Sequence, residues 1–183
     1  MSCFIDQDYT LDCRVGSTGG IKSLHILGAS GNTITGYTTN VGGEITAIGG
    51  TGTWYSFQLP KQSGSLTETI GVNETSQSVT FQPAIVINLP KLDAALRKTF
   101  VDLVSLNDVY AIVEDNNNRY WAVFLDNGGV VSEGSLMSGQ AYTDQNGAML
   151  TISGGEPTSI REFDLTGTDI ATVIAAGGFT WNP

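Results

Sequence analysis

Hydrophobic and polar residues alternate along most of the chain in short segments, which is the pattern of β-strands that bury one face. Gly, Asn or Pro bounds each segment, as expected where a strand ends in a turn. The segments with this pattern are residues 21–27, 33–38, 44–48, 53–59, 66–70, 78–89, 109–113, 120–125 and 148–153. The glycine-rich residues 49–52 are predicted to form a flexible loop between two of them. The chain is therefore predicted to be mainly β.

Residues 65–89 are predicted to form a long β-hairpin with a polar tip at residues 71–76. Its second strand would measure about 40 Å at roughly 3.3 Å per residue, which is longer than most strands in a compact domain. Pro83 must then lie where the ladder needs no backbone N–H group. We expect part of this hairpin to project from the body as an arm.

One segment has helical rather than alternating periodicity. In residues 92–104 the large apolar side chains recur at helical spacing after Pro90, which predicts an α-helix. The apolar residues of this stripe are Leu92, Leu96, Phe100 and Leu103. Together these elements predict an antiparallel β-sandwich or barrel-like body, residues 1–157, with one flanking helix and the hairpin arm. Residues 158–183 are predicted to be a C-terminal extension, in which the short apolar run 170–176 has no assigned type.

Charge restricts the partners that the protein can have. Charged residues are only 14% of the chain and the net charge is −10, so we expect no surface that grips nucleic acid phosphates or an anionic membrane. No apolar run has the 18 or more residues of a membrane span, and the N-terminus lacks the pattern of a signal peptide. We therefore expect no membrane association.

Residues that usually carry catalysis are scarce. His25 is the single histidine and lies in a predicted strand, where a structural role is expected. Cys3, Cys13 and His25 match no zinc-binding spacing and lack a fourth ligand, and the acidic turns lack the ligand pattern of a calcium loop. The sequence therefore predicts no enzyme activity, no metal and no cofactor.

The aromatic residues admit more than one interpretation. Trp54, Tyr55 and Phe57 lie close together in one predicted strand, and Trp121 lies in another. Packing in the core, a protein interface and a platform for sugar rings are all consistent with such residues.

Several stretches, in this order, resemble the tail tube proteins (major tail proteins) of tailed bacteriophages. The stretches are residues 9–14 with 19–22, residues 59–69, the predicted helix with its leading 89–91, and residues 139–157. The resemblance implies a virion structural protein that assembles in the bacterial cytoplasm into stacked, hexameric rings. It also implies other tail proteins as partners and a lumen through which DNA passes without specific binding, which a sixfold repeated negative charge would favour.

On this hypothesis the region 49–78 contacts the adjacent ring. The candidate residues for contacts between subunits and between rings are Trp54, Tyr55, Phe57, Thr67, Glu68, Thr69, Asn73 and Glu74. Two alternatives remain. One is another ring-forming tail component, such as a terminator or neck protein or the tube of a contractile injection system. The other is a carbohydrate-binding β-sandwich that uses Trp54, Tyr55 or Trp121.

Overall fold

The computed structural model describes residues 16–182 and confirms a mainly β fold, with 52% of residues in strands and 11% in helices. In chain order the elements are β1 (Ile21–Gly28), β2 (Thr33–Thr39), β3 (Ile45–Gln58), β4 (Gly64–Asn73), β5 (Ser78–Pro90), α1 (Ala94–Val104), β6 (Val109–Asp115), β7 (Tyr120–Val123), β8 (Val130–Met137), β9 (Gly147–Ser153), β10 (Arg161–Glu162), α2 (Ile170–Ala176) and β11 (Phe179–Asn182). Cys3, Cys13 and the stretch 9–14 lie outside the described residues.

The strands form two sheets. The larger sheet has the order β10-β7-β6-β1-β3-β11, and β2 pairs with the first half of β3. The smaller sheet has the order β4-β5-β9-β8. Neighbouring strands are antiparallel, apart from β11, which runs parallel to β3. A β-bulge between Val131 and Glu133 interrupts the pairing of β8 with β9.

A first hydrophobic core lies between the two sheets. Leu24 and Ile26 of β1 pack there with Ile85 and Ile87 of β5, and all four are buried. An irregularity in the pairing of β1 at Lys22 shifts the alternation, which places Ile21 in the same core. The two sheets therefore form the sandwich that the alternating pattern predicts.

A second core covers the opposite face of the larger sheet. Ile170, Val173 and Ile174 of α2 pack there with Trp54 of β3 and Phe179 of β11. Residues 161–182 thus supply two strands and a second helix to the same body, and the predicted boundary at residue 157 falls inside it. The described part of the extension is an integral layer of the fold.

The predicted glycine-rich loop is wrong, because residues 49–52 lie inside the 14-residue strand β3. Here the strand changes partners, from β2 at residues 45–51 to β1 at residues 55–58. A β-carbon on Gly50 would collide with the carbonyl of Thr33 and the ring of Phe179. These glycines therefore permit close packing of strands and do not provide flexibility.

The predicted hairpin and helix are both present. β4 and β5 pair continuously from Gly64 opposite Ile87 to Asn73 opposite Ser78. The missing N–H group of Pro83 lies on the side of β9 but beyond the end of that strand, where the Pro83 carbonyl accepts from Gly154 N. Helix α1 begins two residues later than predicted because the Asp93 carboxylate caps it, accepting from Leu96 N at 2.8 Å.

Substitution of Ile174 by Ala should test whether α2 belongs to the main body. Because the side chain is fully buried in the second core, we expect the free energy of unfolding to fall by about 2–5 kcal/mol. Urea denaturation followed by circular dichroism measures this change. The exposed Ala175→Gln variant in the same helix is the control, with an expected effect below about 0.5 kcal/mol. An equally small effect of Ile174→Ala would contradict the integral role of α2.

Candidate functional site

The far half of the β4–β5 hairpin extends beyond the rest of the smaller sheet. β5 pairs with β9 only from Ala84 onward, and a single bridge joins Phe81 to Glu156. We call residues 69–82 the arm. Its turn is closed by its own atoms, since the Asn73 side chain accepts from the backbone N–H groups of Thr75 and Ser76 at 3.0 and 3.1 Å. The arm is therefore a self-contained two-stranded ribbon.

One face of the arm is apolar and exposed. The register places Ile70 opposite Phe81 and Val72 opposite Val79, so all four side chains lie on one face. Ile70, Val72 and Val79 are 59%, 66% and 48% exposed. This face continues the one that is buried inside the body, and no other described residue covers the apolar side chains where they leave the sandwich. Uncovered apolar surface of this kind is typical of an interaction site.

Glu68 holds the base of the arm to the body. Its carboxylate accepts from Ser159 Oγ at 2.6 Å and from Ile160 N at 2.8 Å. This residue was a candidate for contacts between subunits, but its carboxylate is engaged within the chain. The other hairpin candidates, Thr67, Thr69, Asn73 and Glu74, are exposed.

The aromatic candidates of β3 separate into three environments. Trp54 is fully buried and packs edge-on against Phe179, so it can serve neither as a sugar platform nor as an interface residue. Phe57 is half-buried against the first core, whereas Tyr55 is 55% exposed. Trp121 is half-buried, and its indole N–H points to Asp115 Oδ2 at 3.4 Å. Of the three β3 candidates, Tyr55 presents the most surface.

The outer face of the smaller sheet is polar but almost without charge. Across its four strands the outward positions hold small or uncharged side chains, with Glu133 as the one charged residue. The outward residues are Ser65, Thr67, Thr69, Gln82, Ala84, Val86, Asn88, Val130, Glu133, Ser135, Met137, Met149, Thr151 and Ser153. The two outer strands, β4 with 10 residues and β8 with 8, each have one edge without a partner strand among the described residues.

A buried polar cluster joins β1 to β6. Ser23 Oγ donates to Glu114 Oε2 at 2.7 Å and lies 3.1 Å from His25 Nε2, so the imidazole must donate to the hydroxyl. Lys22 donates to the other oxygen of Glu114. Because the hydroxyl proton is directed to the carboxylate, the histidine does not activate the serine as a nucleophile. The cluster instead satisfies polar groups within the sheet.

The environment of this cluster moves the pKa values of its members. Burial lowers the pKa of His25 to about 4, against the opposing charge of Glu114. Burial alone would raise the pKa of Glu114, but hydrogen bonds from Lys22 and Ser23 hold it below the usual value. Sequence analysis identified His25 but not its partners. The alternation of the strand is a signal for Ser23, which lies two residues away on the same face. The sequence has no such signal for Glu114, which comes from another strand.

Glu156 is a second buried acid that the sequence did not single out. Its carboxylate accepts from the backbone N–H groups of Asp126 and Asn127 at 3.0 and 3.1 Å, and burial raises its pKa. It therefore fixes the turn that precedes β8.

Among residues 16–182, no group of three or more His, Cys, Asp and Glu side chains is placed to hold a metal ion. No helix in the same range has the length and apolar character to cross a bilayer. Comparison with known proteins gave no match to a family, a curated protein or a solved structure.

The pKa of His25 generates a prediction about pH. The folded state disfavours the protonated ring, so stability is complete above pH 6.5 and is lost as the pH falls toward about 4, by up to roughly 3 kcal/mol. Urea denaturation between pH 8 and 4 measures this dependence. The His25→Gln variant keeps an N–H donor for Ser23 and should lose most of the dependence in this interval. Equal slopes for the two proteins would contradict the assignment.

Proposed function

We propose that the protein is a tail tube subunit of a tailed bacteriophage, a virion structural protein that forms stacked rings around a channel for DNA. The main observation in support is the four-stranded sheet, in which residues 16–182 leave two edges without a partner strand and place a single charge on the outer face. The sequence resemblance and the projecting arm are consistent with this assembly.

The strand directions in the smaller sheet suit closure into a ring. Its four strands alternate in direction, so β4 and β8 at its two edges run antiparallel to each other. If a second copy is related to the first by rotation about an axis that runs along the strands, its strands point in the same directions as those of the first copy. The β8 edge of one copy would therefore meet the β4 edge of the next in antiparallel orientation. Such a heterologous contact closes into a ring when the rotation permits.

Closure of this sheet would form a wide channel. Six copies with four strands each would contribute 24 strands. At ~4.8 Å between strands and a tilt of ~40°, the barrel would be about 50 Å across, which is wide enough for duplex DNA. The outer face of the sheet would line the channel. Within the described residues that face has Glu133 as its one charge and no Lys or Arg, so it has no cation that would attract DNA phosphates.

Negative-stain electron microscopy of the purified protein across a concentration series tests the proposal, with light scattering to measure mass. Hollow rings that stack into tubes are the expected result. Single rings that never stack would favour a different ring-forming tail component. Monomers at every concentration would count against a self-assembling tube subunit.

Charges on the β4 edge should separate ring closure from folding. The variant Thr67→Glu/Thr69→Glu places two carboxylates on the outer face beside the β4 edge, where they would share a face with Glu133, the one charged residue of the joining β8 strand, and like charges oppose strand pairing. We expect rings to require roughly tenfold more protein, equivalent to about 1.4 kcal/mol, with unchanged unfolding. Thr39→Glu, on an exposed position of β2, is the matched control and should assemble normally. Normal rings from the double variant would exclude β4 as the joining edge.

Deletion of residues 71–76, the tip of the arm, should impair stacking more than folding. The side-chain hydrogen bonds of these residues stay within the hairpin, so the body loses no contact that closes its cores. We expect a thermal midpoint close to that of the full chain and rings that fail to elongate in micrographs. Tubes of normal length from the deletion variant would exclude the arm from stacking.

A further inference from the structure

We propose, resting on the function proposed above, that the apolar face of the arm docks into a groove between α1 and the larger sheet of a second copy, one level along the stack. The groove has a volume of about 540 Å³. The apolar side chains that line it are Ile26, Tyr55, Phe57, Leu103 and Leu106.

The groove is an uncovered part of the sandwich interior. Tyr55 and Phe57 project from β3 on the side of the first core, where Phe57 is half-buried against that core but Tyr55 is exposed, so a gap in the cover of this face lies beside Tyr55. Helix α1 and the segment after it cover part of this gap, with Leu103 of the helix buried and Leu106 packed directly on Gly28. The uncovered part of this face is the apolar groove, in which Tyr55 is more than half exposed. A two-stranded ribbon with one apolar face has the chemistry to cover it.

The arm cannot fill the groove of its own chain. The ring of Phe100 in α1 packs on Gly134 of β8. Gly134 pairs with Leu150 of β9, and Leu150 pairs with Ile87 of β5, so α1 lies at the level of Ile87 along the smaller sheet. Ile87 is nine residues from Ser78, where β5 leaves the arm turn. Nine residues of extended strand measure about 30 Å at ~3.3 Å each. The arm turn and α1 therefore lie at opposite ends of the body.

This arrangement identifies the occupant as another copy. A donor surface at one end and an acceptor at the other meet when a second copy is shifted along the direction of β5. The contact is heterologous and leaves a free donor and a free acceptor on every pair, so it continues as an open stack. Both apolar surfaces would be covered by the same contact.

Charge supports the same pairing. Glu74 is the single charged residue of the arm and lies in its turn. Lys98, whose side chain is 79% exposed, lies on the rim of the groove. Its ion pair with Asp102 is exposed on both sides, and such pairs contribute little, so the ammonium group is available to a second carboxylate. Asp102 lines the same groove and pairs with Lys98 at 2.8 Å, so the contact requires the Lys98 ammonium group to be shared between Asp102 and the Glu74 carboxylate of the second copy.

Site-directed disulfide cross-linking tests the contact. In a Cys3→Ser/Cys13→Ser background, Val72→Cys places a thiol on the apolar face of the arm and Tyr55→Cys places one in the groove. The two single variants are mixed, oxidised and analysed on a non-reducing gel. We expect a covalent dimer from the mixture and much less from either variant alone. A chain that carries both cysteines should give a ladder of covalent multimers.

A matched variant controls for random collision. Thr80→Cys is exposed on the opposite face of the arm and should cross-link poorly with Tyr55→Cys. The charge pair is tested in the same assay. Glu74→Lys and Lys98→Glu should each lower the yield about two- to fivefold, and the double exchange should restore it.

The outcomes distinguish this contact from the wider function. Stacked tubes in micrographs without the Val72–Tyr55 cross-link would overturn the docking site and leave the tube intact. A ladder without rings would support the docking site and overturn the tube. Cross-linking that is equal for Val72→Cys and Thr80→Cys, or absent at every concentration, would overturn the docking site.

Discussion

Burial of the larger sheet on both faces is the constraint on which the rest of the structure depends. The smaller sheet covers one face, and α2 packs on the other. This three-layer arrangement explains why Trp54 is inaccessible and why His25 stays neutral inside the sheet. It also decides which surfaces are free. Within the part of the chain that the structure describes, the smaller sheet is covered on one face only, and its outer face and both of its edges are available to other molecules.

Elements with local causes were predictable from the sequence. The β4–β5 hairpin alternates over its whole length, and α1 has an apolar stripe behind Pro90. Contacts between distant segments were not predictable. Residues 49–52 resemble a loop because their glycines suit turns, yet those glycines let Phe179 approach the strand. Helix α2 has only seven residues, too few to establish periodicity, although Asp169 at its start was a capping signal.

The candidate site was predictable to a similar extent. The polar tip marked Asn73 and Glu74 as exposed, and the structure places them there. Alternation could not distinguish Trp54 from Tyr55, since the difference depends on which face of β3 receives a second covering layer. Nor could it indicate that Glu68 is held by the segment at Ser159, 91 residues further along the chain. Edge strands of monomeric proteins usually carry lysine, proline or inward charges that block pairing. β4 has none that is free, because Glu68 is its one charged residue and is engaged within the chain.

The even number of strands in the smaller sheet has a consequence for how the size of a ring is set. With four strands, every junction between copies is antiparallel, whether five, six or seven copies join. The pattern of backbone hydrogen bonds therefore cannot determine the number of copies in the ring. Curvature must do so, and the bulge at Val131 and Glu133 bends the strand that forms one of the two junction edges. The copy number of the assembly would then be encoded in the local geometry of β8 and not in the pairing pattern.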